Sequence, residues 1–459
     1  MRVKQLIGGL AAIATLGACA GGESTAADGG RRAALVATID SIVQEPIDAG
    51  YLAGASIAVV RGRDTIVAKG YGRANIELDV PTPPRAIYEM GSITKQFTGA
   101  AMMQLVEQGK IRLDDDLATH MPTFKTGGRK ITVRRLLDHT SGIKGYTEIP
   151  EFDRLSPLVL PRDTLLQIVA SKPFDFEPGE EQIYNNSAFF LAGLIIEKVS
   201  GMPYEKYVEE NLFKKAGMKE AHYCSEKAVK KGKTTGYDAD SSGPVQKGFL
   251  SHQWPFAAGS LCTSALDLVA WNEALHRDGK IMNADSYKAF ITPEQLNDGY
   301  TIGYANGLVV TPRIGRRALH HGGGINGWVS ENIYFPEESL SVVVLFNTAG
   351  RADASGTAEA IAVAVLGKAP DVSKPVEGDV ARFAGTYAGR GRGRATELKV
   401  VTDSGALSVD FRGEKRKLIY VGDNTFVAAN TKFIFGGGPG SAATLRVDAS
   451  AGNNMLHRQ

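Results

Sequence analysis

The chain predicts an α+β domain followed by a small all-β domain of barrel or sandwich type. Three observations carry this. A hydrophobic content of 43% with 53 glycines suits a mixed globular protein rich in turns. Strand, helix and strand patterns alternate in the first 366 residues in the order of one sheet shared by the two ends of a domain. Beyond a linker with two prolines, short β-branched and aromatic runs recur between glycine turns.

In chain order, residues 1–19 are basic, then apolar from Leu6 to Leu16, and end on Leu16-Gly17-Ala18-Cys19. This reads as a signal peptide, too short to span a bilayer as a helix. Its end resembles a bacterial lipoprotein processing site, which implies that Cys19 is lipidated, tethering an exported, periplasmic protein to the membrane. The alternative is cleavage near Ala20 with Cys19 discarded. Residues 20–33 are small and polar and read as a flexible tether. Ala34 to Ala49 reads as an amphipathic helix interrupted near Pro46. Two β-branched runs flank Arg61-Gly62-Arg63, a hairpin signature.

Next comes Gly91-Ser92-Ile93-Thr94-Lys95, opening a run with helical spacing that stops at Gly109. Leu113 to Leu117 holds three aspartates, read as a helix cap because no further metal-type ligand is suitably spaced. Ile131 to Ile143 is a short helix and tight turn, in which His139 is read as fixing the turn. Tyr184-Asn185-Asn186 precedes an apolar helix from Ser187 to Val199. Ser264-Ala265-Leu266-Asp267 is a capping box. Strand signals follow at 317–322, 328–335 and 340–346, the last continuously apolar and so buried on both faces, and then a helix over 356–366. The domain is bounded at 34–367, the linker at 368–379 and the β-domain at 380–459, in which we read no chemistry.

The spacing Ser92-x-x-Lys95 sets a lysine one helical turn from a serine at a helix N-terminus. A serine is a weak nucleophile until a base takes its proton, and the helix end offers backbone N–H groups to an oxyanion. The tetrad recurs at Ser141 to Lys144, but Gly142 breaks any helix there. Chance therefore supplies the motif twice, and other stretches must decide.

Ser92-Ile-Thr-Lys95, Tyr184-Asn-Asn186 and His321-Gly-Gly323, with their flanks, resemble the serine β-lactamase and penicillin-binding protein family over about 34–366. The class C β-lactamases, D-alanyl-D-alanine peptidases and related esterases are nearest. The resemblance implies a β-lactamase/transpeptidase-like fold, with an antiparallel sheet flanked by helices and an all-helical region. It implies an acyl-enzyme on Ser92, Lys95 and Tyr184 sharing the proton transfers, and Asn186, His321 and Gly323 facing substrate. The oxyanion hole would be the N–H groups of Ser92 and Gly324. Two decoys, Lys125-Thr126-Gly127 and Tyr304-Ala305-Asn306, are set aside because they lack the order and context of the real motifs.

His321 stands where the family carries lysine. Histidine is largely neutral above about pH 6.5, so the carboxylate of a penicillin loses a permanent cation. The expected activity is therefore an amide, peptide or ester hydrolase rather than a dedicated β-lactamase. Preference for anionic substrates is expected to grow below about pH 6 as the imidazole charges. The alternative is a catalytically silent cell-envelope binding protein on the same fold.

Composition closes other routes. With 52 basic and 50 acidic residues and no basic block, nucleic acid has no footprint. No G-x-S-x-G elbow occurs, and the eight histidines show no metal-ligand spacing, so neither metal nor cofactor is expected. Cys224 and Cys262 are left to form one bridge in an exported compartment. A monomer is expected, with the loops Tyr146 to Pro161 and Tyr237 to Phe256 shaping the substrate site.

Overall fold

The computed structural model describes residues 20–376, 378–391, 394–403, 405–411, 413–437, 440–450 and 452–459. Cys19, the expected lipidation site, and the expected signal segment 1–19 lie outside the described residues. The first element, α1 (Ala20–Asp48), takes in the stretch expected as a tether, so the chain there is helical. Alanine, the best helix former, recurs through it, and Arg32 is held to Asp64 at 2.8 Å. Pro46 lies inside the helix, two residues from its end.

The hairpin forms as read: β1 (Gly54–Arg61) and β2 (Asp64–Asn75) turn at Gly62, and β3 (Val80–Pro81) extends them. After α2 (Thr94–Glu107), β4 (Gln182–Ile183), α3 (Asn186–Ser200) and α4 (Ala265–Asn272) come the short strands β5 (Tyr304–Ala305) and β6 (Leu308–Val309). Then follow β7 (Leu319–Ile325), β8 (Trp328–Phe335), β9 (Leu340–Phe346) and α5 (Ala354–Leu366). The sheet order is β5-β6-β7-β8-β9-β1-β2-β3. Its centre joins the two ends of the domain, with Ala55 opposite Phe346 and Arg61 opposite Leu340.

Strand periodicity divides the core. Ile57, Val59, Val342 and Val344 pack with Ile39 and Val43 of α1 and Ile361 of α5. Ala58, Val60, Val343 and Leu345 turn to the other face, toward Phe97 of α2 and Trp271 of α4, whose rings stack at 4.0 Å. Both faces of β9 are thus buried, as its continuous apolar run requires. Burial at about 1.5–3 kcal/mol for each large side chain makes this sheet the rigid frame of the domain. The α2 helix is buried on every side from Thr94 to Leu105. Ser264 caps α4 through the Asp267 N–H at 3.3 Å, and Gly201 in the left-handed region (φ 72°) stops α3. The Sγ atoms of Cys224 and Cys262 are bonded, with their Cα atoms 5.3 Å apart.

The C-terminal domain is a nearly closed barrel with its own core around Tyr387, Phe426, Phe433 and Phe435. Its strands are β10 (Gly385–Gly391), β11 (Arg394–Asp403), β12 (Ala406–Phe411), β13 (Glu414–Lys417), β14 (Ile419–Gly422), β15 (Thr425–Ala428), β16 (Thr431–Gly436), β17 (Thr444–Ala449) and β18 (Gly452–Arg458). They run in the order β13-β12-β11-β10-β18-β17-β16-β15-β14, and β4 of the first domain adds to β18. Among the described residues no helix is long and apolar enough to cross a membrane.

Candidate active site

The chain enters the site through Gly91, whose φ of +53° is cheap only for glycine, and Ser92 occupies a 3₁₀ turn that runs into α2. Lys95, one turn on, is fully buried, and its Nζ donates to Ser92 Oγ at 3.1 Å. The same Nζ donates to Asn186 Oδ1 and to the carbonyl of Ala258, each at 2.8 Å. Ser141 and Lys144 behave otherwise: Lys144 pairs with Asp175 at 2.8 Å and Ser141 bonds within its turn.

Tyr184 reaches the same place because α3 starts immediately behind it. Asn185 caps that helix by accepting from the Ala188 N–H, and Asn186 begins it. The Tyr184 ring lies 4.7 Å from Lys95 Nζ, measured to its centroid. Asn186 is oriented on its other side by Thr147, to whose Oγ1 it donates at 3.4 Å.

The third motif arrives on β7. This strand meets β6 only at His320, so Gly322 to Ile325 pairs with β8 alone, and Ser92 lies beside its other edge. A Cβ on Gly323 would come within 2.0 Å of the Met90 carbonyl, which is why glycine is needed for the strand to approach the serine turn. Gly324 backs onto Gly91, and Ser92 and Gly324 line the same cavities. Ser92, Lys95, Tyr184, Asn186, His321, Gly323 and Gly324 are therefore brought together. The literal Lys125-Thr126-Gly127 is in none of the cavities that Ser92 lines.

Three sequence readings need correction. His321 does not charge near pH 6: burial, aided by the charge of Lys95, pushes it down to about 3. Its Nδ1 faces the Gly322 carbonyl at 2.6 Å and its Nε2 faces the Tyr304 hydroxyl at 2.9 Å. A carbonyl only accepts, so Nδ1 carries the proton and Tyr304 donates to Nε2. The imidazole is thus held neutral, and the expected growth of anion preference below pH 6 does not follow.

Tyr304, set aside as a decoy, is that donor, and its ring packs 4.5 Å from His139. His139 does more than fix its own turn. Its ring lies 4.4 Å from Tyr184, its Nδ1 accepts the Asn185 N–H, and its carbonyl accepts the Ile183 N–H. Neither residue has a local spacing signal, because both meet Tyr184 only through the fold. Ala258 was also missed as a partner of Lys95, since a backbone carbonyl leaves no mark in sequence.

The third correction concerns the β-domain, in which no chemistry was read. A cavity of about 1100 Å³ opens at Ser92, Glu148 and Tyr184, and its far wall is barrel: Arg390, Lys399 and Asp410 among others. A smaller cavity of about 150 Å³ also reaches Ser92 and is lined by Tyr146, Phe152, Leu250, Pro255 and Ile325 among others. The two loops expected to shape the substrate site contribute Tyr146, Thr147, Phe152, Leu250 and Pro255 to that lining. No group of three or more histidine, cysteine, aspartate or glutamate residues among the described residues is arranged to hold a metal ion.

Comparison with known proteins agrees with this geometry. The model of the beta-lactamase family matches residues 39–366. Protein flp of Staphylococcus aureus (strain MRSA252) is 28% identical over 319 residues, which are 67% of this chain and 62% of that protein. The chain thus spans less than two thirds of that curated relative. The D-stereospecific amidohydrolase of a Streptomyces species is 27% identical, with a TM-score of 0.62, over 72% of this chain and 99% of that one. The octameric penicillin-binding protein homologue of Pyrococcus abyssi is 25% identical, with a TM-score of 0.65, over 92% of this chain and 99% of that one.

Proposed function

We propose, from the premise that this chain belongs to the β-lactamase family, that it is a serine hydrolase of amide or peptide bonds working through an acyl-enzyme on Ser92. The observation that carries the reading is the buried Lys95 amine 3.1 Å from the Ser92 hydroxyl. When Lys95 gives up one proton for the reaction, its two remaining hydrogens stay on Asn186 and Ala258, and its lone pair replaces the donation to Ser92 and receives the Ser92 O–H. Attack then forms the Oγ–C bond as the proton passes to Lys95, with Tyr184 beside it sharing the transfer. The N–H groups of Ser92 and Gly324 take the oxyanion. The C–N bond breaks as the proton goes to the leaving amine. Water then attacks the ester, gives a proton back through the same groups, and frees the acid and the serine.

Neutral His321 offers no cation to a substrate carboxylate, which favours an amidase or peptidase over a dedicated β-lactamase. The likeness to a D-stereospecific amidohydrolase supports a D-configured aminoacyl amide or short peptide as substrate. The 150 Å³ pocket of aromatic and aliphatic side chains suits one apolar side chain of the acyl group. The leader and Cys19 support export and lipid anchoring in the periplasm; incorporation of labelled palmitate, lost in Cys19→Ala, is the check. The sequence reading of a monomer is checked by mass in solution against 49.0 kDa per chain, and an octamer like the Pyrococcus homologue would overturn it.

The central test is a fluorophosphonate or fluorescent penicillin probe with a panel of β-lactam, D- and L-amino amides and a short acyl ester. Covalent labelling and D-amide turnover, both lost in Ser92→Ala, are expected. Labelling that survives the substitution would sink the assignment of Ser92.

A further inference from the structure

We propose that the C-terminal barrel is a working half of the active site, because its strand β18 positions Tyr184. This rests on Tyr184 acting in acyl transfer as described above. The residues before Tyr184 form β4, a strand of only two residues, and its sheet partner is β18: Ile183 is opposite Gly452, and Gln182 is opposite Asn453. So short a strand has no stability of its own. It is held from two directions. On the side of the first domain, His139 takes the N–H groups of Ile183 and Asn185, the residues on either side of Tyr184. The barrel supplies the second hold, and Gln182 and Asn453 are buried there to 1% and 0% exposure.

The surrounding junction makes this contact a fixed one. Tyr300 donates to Asp448 Oδ2 at 2.8 Å, and the Arg446 guanidinium lies 4.3 Å from the Tyr300 ring centre while pairing with Asp298. Asn454 donates to Glu181 at 3.3 Å, and Arg390 donates to the Asp175 carbonyl. The turn between β17 and β18 also borders the reacting groups, since Ala449, Ser450 and Gly452 line cavities shared with Ser92. Tyr184 is therefore set between His139 and a barrel strand that begins 268 residues after it, at Gly452. Gly452 permits the close approach, because a Cβ there would meet the Gln182 carbonyl oxygen at 2.9 Å.

The test compares the full-length chain with Gly452→Val, Gly452→Ala, Tyr300→Phe and, as a control on the outer hairpin, Lys415→Ala. A valine at 452 should push β18 off β4. We expect kcat on the best D-amide to fall about 10- to 100-fold, as for a 1 Å misplacement, with KM nearly unchanged and the pH profile of kcat displaced. Gly452→Ala should fall between, and Lys415→Ala should match wild type. Tyr300→Phe, with a smaller loss in the same direction, decides the matter if Gly452→Val does not fold. Folded junction variants with wild-type kcat and pH profile overturn the inference. A wild-type chain that is neither labelled nor active overturns the acyl-transfer reading itself, and the inference with it.

Discussion

At the scale of single residues, the site turns on which groups are neutral. His321 is held uncharged by burial, by Lys95 and by the Tyr304 hydroxyl, so it stays neutral at pH 5. The ratio of kcat/KM for an anionic to a neutral substrate should therefore stay flat from pH 8 to pH 5; a rise below pH 6 would mean that His321 titrates there. Tyr304→Phe removes the donor to Nε2 and leaves a buried acceptor unpaired, a loss of about 1–3 kcal/mol read as a lower Tm. Lys95→Gln should lower kcat by about 10²–10⁴ without abolishing binding, because it removes the proton acceptor and little substrate contact. Ser92, Lys95 and Tyr184 were legible in the sequence since their types and order carry the chemistry. Tyr304 and His139 were not, since they act on Tyr184 and His321 through packing across distant segments.

At the scale of elements, the serine turn and β7 must approach more closely than side chains permit. Gly323→Ala sets a methyl group against the Met90 carbonyl and the Ser330 hydroxyl, and the strand has to move. Loss of one oxyanion donor is worth about 10²–10³ in kcat, so Gly323→Ala should approach that loss while α2 and the core stay folded, as circular dichroism would show. The disulfide between Cys224 and Cys262 closes a loop of 38 residues in sequence separation, and its removal should cost about 2–4 kcal/mol, read as a fall in Tm on reduction. Helices and strands were legible where periodicity is long, as in β9 and α3. The two-residue strands β4, β5 and β6 were not, because so short a run has no period and exists only where a neighbour pairs with it.

For the molecule as a whole, buried histidines tie stability to pH. His321 has a folded pKa of about 3 against about 6.5 when unfolded, so below pH 6.5 the unfolded chain binds the extra proton. Its contribution is complete above pH 6.5 and is lost as pH falls toward 3, by about 2–3 kcal/mol at pH 4.5. His320 is shifted in the same direction by burial. Thermal unfolding should therefore give a Tm that declines from pH 6.5 to pH 4.5; a Tm that is level over this range would contradict a buried neutral His321. The sequence by itself determined the two-domain order, the long strands of the central sheet, and the serine and lysine proposed as nucleophile and base, because residue type and periodicity record what each local segment can do. Only the tertiary structure decided that His321 stays neutral, that Tyr304 and His139 belong to the site, and that the barrel borders it. Burial and pairing between segments far apart in the chain are properties of the assembled fold, and no local pattern encodes them.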